Sequence, residues 1–351
     1  MKAGFACTLP VAFFGGSPLT GAVDWFTHIF AAVGIALALR SGRKVALAMA
    51  FGAMAPDLDA LFTPVTIVAP QLWFLDHRTF SHSLLLGLPW ALAVTWVFQR
   101  PAVLRLWRRI FRVDIALPMD RTIVLPMFAG VLSHLLMDAL TVQGPALLAP
   151  FSAERFQLDW FYFVDLLPLA ISSPLFVLTL WKLGTPKLRT RLLVVLLVAV
   201  LATGAWRGIT KTAVESANPG AAIVPTQSPQ TWWTWRELAN GTIEIRLAEA
   251  GRAGALYRAT FPLLQVNGSS QGLERARTAA ESTIDFTAFT LNAYAVALNA
   301  TLAPDGSWWL GYFDPVRRAQ ARYSATENLF SPADLVIVVA PNGTIARVTW
   351  P

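Results

Sequence analysis

The chain has 351 residues, of which 55% are hydrophobic and 14% charged, with a formal net charge of +7. A water-soluble globular chain has nearer a quarter of its residues charged, so this composition excludes a wholly soluble protein. The single cysteine, Cys7, excludes an internal disulfide and a thiolate metal cluster. The positive charge flanks apolar runs as loop anchors, so no nucleic-acid partner is expected.

In chain order, Lys2 and the apolar run to Gly15 come first, interrupted by Pro10 and without a clear small-residue cleavage site. They read as a short interfacial or membrane-entering segment rather than a signal peptide. Six apolar stretches follow, near 23–39, 44–62, 81–98, 123–141, 160–181 and 190–207. Each approaches the roughly 20 helical residues needed to cross hydrocarbon. Arginine and lysine gather on alternate loops, 40–44, 100–121 and 182–191. That places these loops in the cytoplasm and both termini on the opposite side.

Residues 208–236 are rich in Pro, Ser, Thr, Ala and Gly and read as a linker or interfacial segment. Trp232, Trp233 and Trp235 serve it either as a membrane-surface anchor or as packing for the next domain. Residues 237–351 read as a small soluble domain. Alternation over 242–247, 294–302, 308–313, 335–339 and 345–350 predicts strands. Asp305-Gly306 and Asn342-Gly343 predict hairpin turns, and 272–284 predicts one helix. The expected fold class is an all-α polytopic membrane domain of about six transmembrane helices over residues 1–207. A small C-terminal α+β or mostly-β domain outside the cytoplasm completes it.

The four histidines all lie in the apolar first half, each near an aspartate. His28 follows Asp24. Asp57 and Asp59 follow Pro56. Asp76, His77, Arg78 and His82 share one stretch, and His134 precedes Asp138. With the N-terminus outside, the alternating spans bring every one of these groups to the same face. His134 and Asp138, four apart, project from one helix face. Pro56 lets a helix kink or end, so that Asp57 and Asp59 can turn toward one centre. Ser81 is a candidate N-cap that would put His82 in the first turn of a helix. A single aspartate at a helix centre costs roughly 2.5–3.5 kcal/mol on insertion scales. Several together need an explanation, and a divalent cation or an ion pathway gives one. Thiolate-free N/O ligands suit zinc first, with manganese or iron also allowed. Arg78 either holds an oxyanion bidentately or snorkels to headgroups. Asp76 either orients His77 or is a solvated charge, and Asp165 either joins the site or pairs with Arg155. Glu154 and Arg155 read as ordinary loop charges.

These residues give the chain a resemblance to the YdjM-like family of LexA-regulated, membrane-bound metal-dependent hydrolases. The matching pieces are His28, Pro56-Asp57-Leu58-Asp59, the run from His77 to Ser83, and Ser133-His134 through Asp138. Thr79 stands where the family commonly has glycine, which should stiffen the loop. The match covers roughly residues 20–170 and leaves the C-terminal domain outside. More distantly, the ligand order is similar to that of the zinc-dependent phospholipase C/P1 nuclease class. That resemblance implies one or two ions, the first held by His28 with Asp57 or Asp59, the second by His82, His134 and Asp138.

The expected function is therefore a metal-dependent hydrolase at the outer face of the inner membrane, acting on a membrane lipid or lipid-linked phosphoester. The expected metal ligands are His28, Asp57, Asp59, His82, His134 and Asp138. Asp59 or Asp57 would accept the proton from water, and His77 and Arg78 would stabilise negative charge. Two other readings use the same residues. One is a divalent-metal or proton transporter. The other is a non-enzymatic envelope scaffold whose C-terminal domain binds a protein partner.

Overall fold

The structure is a computed structural model that describes residues 18–111, 113–162, 166–180, 185–323 and 334–350. The N-terminal segment before residue 18, Asp165, and the side chain of Asp24 lie outside what it describes.

Helix α1 (Pro18–Ala38) packs on α2 (Arg43–Met54). A 3-10 turn at Pro56–Phe62 runs into the short α3 (Thr63–Val68), and a second 3-10 turn at Pro70–Leu75 follows. The loop 76–86 then leads to α4 (Gly87–Phe98) and the amphipathic α5 (Pro101–Phe111). After α6 (Val124–Ala139) come α7 (Leu166–Leu180) and the long α8 (Pro186–Ala217). Helices α2 and α6 form the closest helix pair, with Ala48, Phe51, Met127, Val131 and Leu135 buried there alongside Ala91 and Val94 of α4.

Six spans are not found. Among the described residues, three helical segments are long and apolar enough to cross a membrane: Arg43–Thr66, Arg121–Ala139 and Thr190–Ala217. A fourth counts only if Pro70–His82 and Gly87–Phe98, bent by 87°, form one broken span. Trp25–Ala38 and Ala170–Thr179 are shorter apolar helices. The physical reason is that apolar runs report hydropathy rather than helix continuity. The first residues of the third run, 81–86, form a 3-10 turn and loop, so that α4 begins only at Gly87, and the 160–165 part of the fifth is not helical where it is described.

The C-terminal region is α+β, as expected. Strands β1 (Ala222–Pro225), β2 (Thr231–Glu237), β3 (Thr242–Glu249) and β4 (Tyr257–Pro262) form an antiparallel sheet in that order. A second sheet holds β5 (Leu264–Asn267), β6 (Ala297–Leu302), β7 (Trp308–Phe313), β8 (Leu335–Val339) and β9 (Ile345–Thr349). Within this sheet β5 and β6 pair in parallel, and α9 (Leu273–Glu281) with α10 (Ile284–Asn292) supplies the crossover that such a pair needs. Helix α11 (Pro315–Tyr323) connects β7 to β8. Gly306 and Gly343 take φ of 81° and 88° in the two expected turns.

Residues 208–236 are not a linker. The first ten continue α8, and the rest supply β1 and β2. The tryptophans do not anchor the chain by their exposure: Trp232 and Trp233 are fully buried. Trp232 packs on Val214 of α8 and Ile223, whereas Trp233 joins a core with Ile243, Ile245, Phe261 and Val316. That second core also contains Val142 and Tyr162 from the helical half. One hydrophobic core therefore crosses the boundary between the two halves. Ending the chain after Ala217 should expose Val142 and Tyr162 and lower the melting temperature of the helical part in detergent. An unchanged melting curve would show the halves to be independent.

Candidate metal centre

Four separate stretches deliver the cluster. Helix α1 carries His28, and the 3-10 turn after α2 carries Asp57 and Asp59. The 76–82 loop carries His77, Arg78 and His82, and one face of α6 carries His134 and Asp138. Pro56 opens the tighter 3-10 turn, and both carboxylates then reach the same ring from opposite sides. Asp57 Oδ1 lies 3.4 Å from His82 Nε2, and Asp59 Oδ2 lies 3.1 Å from His82 Nδ1.

Ser81 does not cap a helix. It sits in a 3-10 turn, donates its hydroxyl to Asp59 Oδ2 and stands 2.9 Å from His82 Nδ1. Helix α4 begins later, at Gly87, where the Ser83 hydroxyl accepts from the Leu86 amide at 2.9 Å. The Thr79 hydroxyl, with its single hydrogen, lies between two acceptors of the same loop, the carbonyls of Phe74 and Asp76.

Four ligand atoms converge: Asp57 Oδ1, His82 Nε2, His134 Nε2 and Asp138 Oδ2. His82 Nε2 is 3.0 Å from His134 Nε2 and 3.3 Å from Asp138 Oδ2. His134 Nε2 is 3.4 Å from Asp138 Oδ2 and 3.5 Å from Asp57 Oδ1. Bonds of about 2.0–2.1 Å around a tetrahedral zinc would separate its ligands by roughly 3.3–3.4 Å, so the donor set fits such a cation.

Hydrogen bonding fixes the tautomers. His134 Nδ1 donates to the Ala53 carbonyl at 2.7 Å, which leaves its Nε2 with a lone pair. The Ser81 hydroxyl is spent on Asp59, so His82 Nδ1–H is the donor on that side and its Nε2 also carries a lone pair. With His82 neutral, two lone pairs would face each other across 3.0 Å and repel, so the contact calls for either a proton on His82 Nε2 or a cation shared by both rings. Asp57 Oδ2 and Asp138 Oδ2 are buried without a hydrogen-bond donor. Three buried carboxylates (Asp57, Asp59 and Asp138) against the one buried guanidinium of Arg78 leave an excess of two negative charges beside the imidazoles. A divalent cation neutralises that excess, and burying it unpaired would cost several kcal/mol per ion.

The remaining expected residues surround this set. His28 Nε2 lies 3.4 Å from Asp138 Oδ1, and its ring stacks on His134 with centroids 3.9 Å apart. His28, which the zinc phospholipase resemblance groups with Asp57 or Asp59, is not among the four residues that converge. Asp59 instead makes a second group with His77 and His82, with His77 Nδ1 2.7 Å from Asp59 Oδ1. His77 is 20% exposed, far more than the four converging ligands. Arg78 is 2% exposed and neither snorkels nor faces outward. Its Nη2 donates to Asp138 Oδ1 at 3.0 Å, and its Nη1 donates to the Thr141 hydroxyl and the carbonyls of Val142 and Gln143. It holds this grip with φ of 65°, a left-handed conformation costing about 1–3 kcal/mol for a non-glycine residue.

The profile of the YdjM inner membrane protein family matches residues 23–214. The chain belongs to this family. No curated protein and no solved structure matches it. The matched range holds every residue of the cluster and ends within α8, so the family's share of the chain is the helical, membrane-embedded half.

Two contacts lay outside what a single sequence signals. Asp76 does not stand free in solvent; its Oδ2 accepts from Asn292 Nδ2 of α10 at 2.9 Å. Arg155 is no ordinary loop charge. Its Nη2 donates to Asn292 Oδ1 and to the His77 carbonyl, and its Nε donates to the Leu291 carbonyl. Burial pulls this guanidinium down to about 10, so it stays charged at neutral pH.

Proposed function

We propose that this membrane protein is a metal-dependent hydrolase of a lipid or lipid-linked phosphoester, working at the outer face of the inner membrane. One observation carries the reading. A closed set of two imidazole nitrogens and two carboxylate oxygens stands beside a partly exposed His77–Asp59 pair. Asp57, His82, His134 and Asp138 would hold one divalent cation, with zinc the best fit to the spacing. When bound, it supplies the Lewis acidity that makes water a nucleophile near neutral pH.

The chain's own residues do the rest. Asp59 accepts from His77 Nδ1–H, which leaves His77 Nε2 able to take a proton from water, 4.0 Å from Asp57 Oδ1. Arg78 acts as a positioning residue that turns Asp138 Oδ2 toward the ligand set. This exchanges the roles first expected for these groups: His77 becomes the base, Asp59 its orienting partner, and Arg78 leaves the substrate side. The basic loops at 40–44, 100–121 and 182–191 support placing the cluster and the C-terminal domain outside the cytoplasm.

A second reading has an observation in its favour. Four protein ligands that are nearly inaccessible resemble a closed structural site, in which the cation only staples helices together. Transport is less supported, since residues 45–54 and 124–132 continue from the cluster as almost wholly apolar helix. Hydrolysis of phosphatidic acid and of a lipid-linked sugar phosphate by the detergent-purified chain tests the choice. His77→Gln should keep the metal and lose roughly 10²–10⁴-fold in turnover. Stoichiometric metal with no hydrolysis of either compound, or equal turnover in His77→Gln, would favour the structural site.

A further inference from the structure

A cavity of about 370 Å³ opens between the 143–157 stretch and the C-terminal end of α10. Its walls include Gln143, Glu154, Gln157, Thr290, Asn292 and Tyr294, so both halves of the chain build it. The volume lies within the range of small-molecule sites. Its chemistry is that of neutral hydrogen bonding: three side-chain amides, a threonine hydroxyl, a tyrosine and one carboxylate.

The one cation in its wall is already used. Arg155 has five N–H donors, and five acceptors take them. These are the carbonyls of Leu291, Gln143, Gly144 and His77, together with Asn292 Oδ1. Nothing is left to grip a phosphate, and the exposed Glu154 carboxylate would repel one. Asn292 spends one amide hydrogen on Asp76 and one oxygen lone pair on Arg155, which leaves one of each for a ligand. Tyr294 is held in place, with the Arg317 guanidinium 4.1 Å from its ring centroid and Trp235 packed at 5.5 Å.

The cavity also adjoins the metal centre. Gln143 lines it, and the Gln143 carbonyl accepts from Arg78, the residue that holds Asp138. Arg155 lines it too, and reaches the His77 carbonyl on the far side.

We propose that this cavity binds a neutral, hydroxyl-rich group, a sugar or polyol, and that the group is the polar moiety of the substrate whose phosphoester faces the His77–Asp59 pair. The second half of this statement rests on the hydrolase reading; the first does not. Paired amides and a carboxylate match adjacent hydroxyls as donors and acceptors, whereas an anion belongs at the cation site.

Saturation-transfer NMR on the detergent-purified, full-length chain tests the binding, with methyl α-D-glucopyranoside and myo-inositol as neutral probes and inorganic phosphate as competitor. At least one neutral probe should receive saturation from wild type. That transfer should fall about fivefold or more in Gln157→Trp, which fills the cavity from an exposed position, and in Glu154→Ala. Both variants should keep wild-type metal content, which separates loss of binding from loss of fold. No transfer to either probe, equal transfer in both variants, or displacement by phosphate would overturn the proposal. For the substrate half, Gln157→Trp should raise KM for a lipid-linked sugar phosphate about tenfold and leave KM for phosphatidic acid unchanged. An equal rise for both would overturn that half. Probe binding without hydrolysis of either compound would remove the hydrolase reading and leave the sugar site standing.

Discussion

His134→Ala, purified in detergent, will bind its divalent cation at least about 100-fold more weakly than wild type. The substitution removes one of four converging ligand atoms and leaves Asp57 Oδ1 and Asp138 Oδ2 facing each other with one imidazole between them. A graded series follows from the geometry. His28 touches Asp138 Oδ1 and stacks on His134 without joining the four, so His28→Ala should weaken binding only about 10–100-fold, the usual cost of losing an outer partner. Metal analysis by mass spectrometry gives the stoichiometry, and thermal melting gives an independent reading. A cation bound only by the folded chain raises its stability by mass action. Chelator should therefore lower the melting temperature of wild type and leave that of His134→Ala unmoved. Equal metal content in wild type and His134→Ala would end the metal reading, and with it the hydrolase proposal.

Much of this centre is legible in the sequence because its ligands obey local rules. His134 and Asp138 are one helical turn apart, and a helix of any tilt keeps them together. Pro56 announces a break, and the break does turn Asp57 and Asp59 inward. The strands over 242–247, 308–313 and 335–339 show through their alternation, and their turns through Asp-Gly and Asn-Gly. What the sequence hides is of two kinds. Hydropathy cannot distinguish a continuous span from apolar residues wrapped around a polar loop, so the stretch from Ser81 looked like the start of a helix. The second kind is tertiary. Ser81 has the composition of a cap, yet its hydroxyl is drawn to the nearby Asp59 carboxylate, a stronger acceptor presented from another element. Arg155 and Asn292 lie 137 positions apart, and no spacing rule connects them. Trp232 and Trp233 had the right composition for a membrane anchor, but α8 covers Trp232 on one face of the sheet and the core that holds Ile243, Phe261 and Val142 covers Trp233. The boundary placed near 207 failed for the same reason: the helix runs on, and the core that follows it includes Val142 and Tyr162.

Gly130→Ala should weaken the centre about as much as losing the outer partner His28, although it adds one methyl group and touches no functional atom. Gly130, His134 and Asp138 stand at successive four-residue steps of α6 and so share the face turned to α2. A Cβ at Gly130 would lie 2.2 Å from the Met49 carbonyl oxygen, and one at Gly52 would lie 2.1 Å from that of Met127. Both obstacles are backbone, which cannot swing aside like the end of a side chain, so the two helices must separate by roughly 1 Å. Small residues are what let helices approach this closely within a membrane. The separation would carry His134 and Asp138 away from Asp57, and metal sites tolerate only about 0.2 Å of error in ligand distance. Metal affinity should therefore fall more than about tenfold, and overpacking should cost about 1–3 kcal/mol of stability. Gly208→Ala is the matched control: it lies in α8 with nothing within 4 Å of the added Cβ, and alanine is the better helix former. It should leave metal content unchanged and melt at or slightly above wild type. If Gly130→Ala also binds metal and melts as wild type does, the close α2–α6 contact is not what sets the spacing of the ligands.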